Sequence, residues 1–331
     1  MRKRDRLILP DWAPWLVLLP IAMMFVGDQI NTHFGWQEEL SDLNPDRPSP
    51  RYEAIGRMRM LAALLPFMLT SILIALFFAR EFATFMGPQM RRKLMIAIGL
   101  FAASAAFFLY HQATGSSPAE GKMLGEGFLD SVFRPIKAST GPMEWAVWIT
   151  GQQVALVAVL HVLVFIFSIC LILGAGSVIV GIISCLASAP RRRPLKVRRH
   201  YHDLQRRRID LYLYASAFLM VTGLFFMDSA FRWPAAFAAD RELYMDHVDA
   251  LMLNNGIYYS MILVSYYVPA ALLMRRFSAR TPAAAPAAPV EEGRSTIVDR
   301  LSPSRLIKAL LALIAPAVAG ILTQVVEGAG F

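Results

Sequence analysis

The chain has 331 residues, of which 56% are hydrophobic and 17% charged, and carries a formal net charge of +9. A soluble domain of that length encloses too little interior for so much apolar side chain, so composition excludes an ordinary soluble enzyme and points to a chain embedded in lipid. In such a chain a basic excess belongs to the cytoplasmic loops, which removes the main reason to expect nucleic acid as a partner.

Runs free of Asp, Glu, Lys and Arg recur at residues 12–27, 60–79, 94–111, 145–189, 211–227 and 250–274. At 1.5 Å per residue each crosses, or nearly crosses, about 30 Å of hydrocarbon, the first being the shortest. This predicts an all-α, polytopic membrane helical bundle with six transmembrane helices and, at the C-terminus, a seventh hydrophobic helix. The first run follows Arg2, Lys3, Arg4 and Arg6 as a signal peptide would, but it ends Met23, Met24, Phe25, Val26, Gly27 without a small-residue cleavage pattern, so it is read as a retained anchor.

Charge sets the orientation. With the N-terminus cytoplasmic, segments 1–11, 80–93, 190–210 and 275–308 lie inside and are all net positive, while 28–59, 112–144 and 228–249 lie outside and are all net negative. The same pattern requires that 145–189 cross once. It is therefore read as a short interfacial helix at Met143 to Thr150, with Trp145 and Trp148 at headgroup level, followed by one helix from about Gln152 to Ser188. At roughly 55 Å that helix overshoots the bilayer, and Gly174 and Gly176 are its expected bends. The implied location is a bacterial-type inner (plasma) membrane.

The outer segments are short. The third carries Phe231, Trp233 and Phe237, an aromatic set expected to lie in the interface. The inner segment 190–210 is read as a basic loop, with Asp210 opening the fifth helix. Its Arg191, Arg192, Arg193, Arg198, Arg199, Arg206, Arg207 and Arg208 exceed what a topological signal needs, so they are assigned to anionic lipid or a cytoplasmic protein partner. Residues 276–304 include TPAAAPAAPV and form an extended linker, separating a 1–275 transmembrane domain from a 305–331 C-terminal helix. On that helix Ala312, Ala315, Pro316, Ala319 and Gly320 make a small-residue stripe suited to helix association. The stripe motivates a homo-oligomer. Spanning, lying on the inner leaflet and docking on the bundle are its competing placements, with a seventh span preferred because Arg300, Arg305 and Lys308 precede it.

Candidate functional groups lie toward the outer side. His161 is a polar ring in an apolar crossing, and Asn254, Asn255 and Tyr258 of the sixth helix are its candidate companions, with Asp28 and Asp228 at the outer boundary. They suggest a binding site or pore lining opening on an acidic vestibule that concentrates cations. His111 and His161 are weak candidates for a metal or a haem, but no cofactor is predicted. Cys170 and Cys185 are about 22 Å apart along one helix and cannot bridge. The chain holds no HExxH, GxSxG, phosphate-loop or zinc-spaced cysteine pattern, so an enzyme is not indicated. Three readings follow: a channel- or pore-like protein, a non-conducting membrane subunit or scaffold that recruits a partner through its basic inner loop and tail, and a haem- or metal-binding redox subunit.

Overall fold

The computed structural model describes residues 8–34, 50–114, 153–188, 194–236, 241–279 and 303–328. The interfacial helix expected at Met143 to Thr150, Phe237, Arg191 to Arg193 and the linker from residue 280 to 302 lie outside them.

Among the described residues seven α-helices follow one another: α1 Leu18–Phe34, entered through a 3₁₀ turn at Ala13–Val17, α2 Pro50–Phe85, α3 Pro88–Thr114, α4 Gln153–Cys185, α5 Leu195–Arg232, α6 Arg241–Ala279 and α7 Pro303–Gly328. Another 3₁₀ turn, Trp233–Ala236, closes α5. Among the described residues the only β-pairing is the antiparallel bridge between Ile8 and Ser188. Among the described residues four stretches are long and apolar enough to cross a membrane, Ala54–Thr84, Phe165–Cys185, His200–Arg232 and Arg241–Met274, and two shorter apolar helices run Ala13–Val26 and Ile307–Leu322. Their outward faces are apolar: Leu65 is 68% exposed, Leu69 59%, Leu76 61%, Phe218 58% and Leu311 57%. Water does not tolerate such a surface over several helices, and lipid does.

Within the run 145–189 the described residues Gln153–Cys185 form one continuous helix, α4. Gly174 and Gly176 serve packing, for an added Cβ would stand 2.8 Å from Leu219 Cδ2 and 2.7 Å from Phe101 Cε1. The segment 190–210 departs from the loop expected there. From Leu195 it is already α5, and Asp210 lies well inside the helix, accepting a hydrogen bond from Tyr267 at 3.4 Å. Hydropathy marks only the apolar part of a helix, and this one starts in polar sequence just after Pro194.

Contacts fix the helix directions. Gly174 meets Ser71 and Leu219, Tyr212 bonds Glu81, and Gly56 meets Trp233, so α2 and α4 run together and α5 runs against both. Lys93 reaches Leu9 and Phe107 packs on Phe25, so α1 and α3 share a direction, while the Arg232–Asp249 pair and the Tyr267–Asp210 bond set α6 against α5. Gly256 abuts Pro316 and Gly320 abuts Met252, which makes α7 antiparallel to α6. Odd and even helices therefore alternate, and the bundle has two ends.

Its middle is filled by Phe67, Phe167 and Phe226, stacked with centroids 4.5 and 4.6 Å apart. The small stripe of α7 is spent inside the chain. Ala312 and Ala319 are buried, an added Cβ on Gly256 would lie 2.6 Å from the Pro316 carbonyl oxygen, and one on Gly320 would lie 2.7 Å from that of Met252. Two backbones approach this closely only where side chains are absent. Pro316 supplies no N–H, and the next N–H, on Ala317, donates to Ser260 Oγ at 3.1 Å across the interface. The stripe thus no longer argues for an oligomer.

Candidate functional site

Polar side chains gather at the two ends. At the end holding Ile8, Ser188 and the α2–α3 turn, Glu81 closes α2 and is only 4% exposed. Arg208 of α5 pairs with it through Nε at 3.2 Å, and the Tyr212 hydroxyl donates to its other oxygen at 2.9 Å. The Tyr212 ring can lie there because α4 offers Gly181 beneath it, where an added Cβ would overlap the ring. A carboxylate this deep needs both partners, since an isolated charge in low dielectric is strongly unfavourable. One ion pair and one hydroxyl therefore join α2 and α5 at a single level, with Gly181 of α4 packed beneath the ring. Sequence spacing gives no sign of this, because the partners are single residues 131 apart in the chain.

Around that lock the end is basic. Arg91 covers the close of α2, donating to Phe82 O at 3.1 Å and Ala83 O at 2.6 Å and lying over the Phe82 ring, which satisfies carbonyls that the helix end leaves open. Lys93 pairs with Asp11 at 2.6 Å and donates to Leu9 O, and the Ile8–Ser188 bridge holds the N-terminal segment against α4. Below the lock α5 continues through Arg207, Arg206, Arg199, Arg198 and Lys196 to Leu195, a rise of about 20 Å. Arg207 is exposed and Arg206 and Arg198 half-buried, while the Lys196 and Arg199 side chains lie outside the described residues. Arg208, grouped by sequence with the lipid or partner contacts, points inward instead.

At the opposite end Arg232, the last residue of α5, binds two carboxylates: Asp228 at 2.8 Å on its own helix and Asp249 at 2.5 Å on α6. Tyr244 also ties α6 to α5, donating to Phe231 O at 2.7 Å. Phe231 and Trp233, expected in the interface, are 4% and 1% exposed, and Trp233 packs on Gly56 of α2. Gly56 leaves room for the indole, and a lone Gly in α2 gives no hint of it.

The polar candidates named from sequence do not converge on one wall. Asn255 is buried in α6, Asn254 is exposed beside it, and Tyr258 is turned to α1, donating to Met24 O at 3.0 Å. Asp228 is engaged by Arg232. Asp28, His111 and His161 lie on α1, α3 and α4, with side chains outside the described residues. Phe101 opposite Gly176 sets the α3–α4 register, which puts the His161 backbone about 7 Å along the axis from the level of His111. Among the described residues no group of three or more His, Cys, Asp or Glu side chains could hold a metal ion. No protein-family model, curated protein or solved structure matches the chain.

Proposed function

We propose that the chain is a seven-span inner-membrane protein, with its N-terminus and the start of α5 in the cytoplasm, acting as a non-conducting membrane subunit that holds an acidic cytoplasmic partner on the projecting start of α5. The observation that carries this reading is the length of α5, Leu195–Arg232, whose apolar part begins only after Asp210. Lys196, Arg198 and Arg199 stand about 13–18 Å along the axis from Arg208. That exceeds a Debye length of about 8 Å, so lipid headgroups at the level of the lock attract them little, whereas an acidic protein surface reaches them directly. The alternating helix directions support the seven spans, because they match the charge alternation segment by segment. A pore lined by His161, Asn254, Asn255, Tyr258, Asp28 and Asp228 draws less support, since Tyr258 and Asp228 bond within the bundle and Asn254 and Asn255 differ in burial.

The test is a photo-crosslinking amino acid at His200, which is exposed on the projecting segment. In intact cells it is expected to give one discrete protein adduct that disappears when Lys196, Arg198 and Arg199 are all changed to Gln. Adducts to lipid alone, or salt-selective flux through the purified protein in sealed liposomes, would contradict the reading.

A further inference from the structure

We infer that the inner end carries a seat for an anionic phospholipid in the groove between α2 and α5, its phosphate held by Arg80 and Arg207. Glu81 and Arg208 face each other across an antiparallel helix pair. Successive residues turn by about 100°. In an antiparallel pair, the residues immediately preceding two that face each other swing to the same side, so Arg80 and Arg207 flank one groove at the same level. Both are exposed. The Glu81–Arg208 pair is internally neutral, which leaves these two cations to set the local charge.

The groove continues toward the bundle centre as an apolar surface on the same side. One and two turns from Arg80, Leu76 is 61% and Leu73 56% exposed; one and two turns from Arg207, Leu211 is 47% and Tyr214 40% exposed, and a turn further Phe218 is 58% exposed. α4 cannot cover them, because Gly174 and Gly181 place it on the other side of the pair, beneath Leu219 and Tyr212. Two guanidiniums directly above an exposed apolar trough match a molecule that has a phosphate and acyl chains together. A free phosphate makes no use of the trough, and a soluble acidic protein does not enter it. This commits the occupant to an inner-leaflet lipid with net negative charge. The inference rests on the membrane placement proposed above, which carbonate extraction of membranes tests separately: a chain washed off by carbonate fails that placement before any lipid is added.

The experiment is native mass spectrometry of the full chain, titrated in detergent with dioleoyl-phosphatidylglycerol and, as a zwitterionic reference, dioleoyl-phosphatidylcholine. The chain is expected to retain phosphatidylglycerol in preference to phosphatidylcholine. Arg80→Ala with Arg207→Ala is expected to weaken the anionic lipid by roughly thirtyfold, as two headgroup contacts imply. Arg80→Lys with Arg207→Lys keeps most of the binding, and Arg92→Ala, an exposed cation elsewhere on this end, leaves it unchanged. Equal loss from Arg92→Ala, undiminished binding in the double alanine variant, or displacement of the lipid by inorganic phosphate would each overturn the assignment. Unchanged far-ultraviolet circular dichroism verifies that the variants are folded.

Discussion

Glu81, Arg208 and Tyr212 offer the sharpest energetic test. Breaking a buried ion pair from one side costs about 3–5 kcal/mol, because the partner is left desolvated, whereas replacing both members by apolar residues is near neutral. Here the side chains are 16% exposed for Arg208 and 5% for Glu81, so the single losses should differ. Glu81→Leu takes from Arg208 its buried carboxylate, but the guanidinium can reach solvent along its stem, and the cost should be about 2 kcal/mol. Arg208→Leu strands the more deeply buried carboxylate, with only the Tyr212 hydroxyl left, and should cost about 3 kcal/mol. The double variant loses chiefly the Tyr212 bond, about 1 kcal/mol. Thermal unfolding of the purified protein in detergent, followed by circular dichroism, reads this as three midpoints, at about 2 °C per kcal/mol for a chain larger than typical single domains. The expected order is Arg208→Leu lowest, Glu81→Leu next and the double variant nearest the parent. A double variant as unstable as the sum of the singles would refute the reasoning, since it would show no coupling across the pair.

Other consequences follow from single contacts. Gly256→Leu should push α7 off α6, since the added atoms meet the Pro316 carbonyl and not a movable side chain. In a background lacking Cys170 and Cys185, oxidative cross-linking between Ser260→Cys and Leu313→Cys should be efficient and should drop sharply when Gly256→Leu is added. Arg232→Met should destabilise the protein by about 2–3 kcal/mol and cost more than Asp249→Asn, because it takes the same guanidinium away from two carboxylates, Asp228 and Asp249. Their ranking in a thermal-shift assay checks this. Gly181→Ala should cost about 1–3 kcal/mol by driving the Tyr212 ring away from Glu81. Tyr212→Phe, which keeps the ring, should cost about 1 kcal/mol.

The uncharged runs foretell the helices because a helix in lipid must be apolar along its whole crossing. They do not foretell the helix ends. α5 begins at Leu195 because its first turns are amphiphilic helix-forming sequence, which hydropathy scores as loop. The candidate sites were the least legible part. Arg208 reads as one of nine clustered cations until the fold brings Glu81 beside it, and Trp233 reads as an interfacial aromatic until Gly56 of a distant helix makes room for it. The stripe on α7 was correctly read as a close-packing face, but its partner is α6 of the same chain. A stripe specifies a close approach and leaves the partner open. Asn254, Asn255 and Tyr258 sit near one another in sequence, yet α6 packs on α1, α5 and α7 at once, so neighbouring residues go to different interfaces.

In the proposed topology alternating helices carry the chain across the membrane seven times, with the start of α5 inside. Labelling by a membrane-impermeant maleimide in intact cells tests it most directly, using His200→Cys and Gly330→Cys, one at a time, in a chain freed of Cys170 and Cys185. Gly330→Cys is expected to react from outside, and His200→Cys only after the cells are opened. Reaction of His200→Cys in intact cells, or of both positions only after opening, would contradict it.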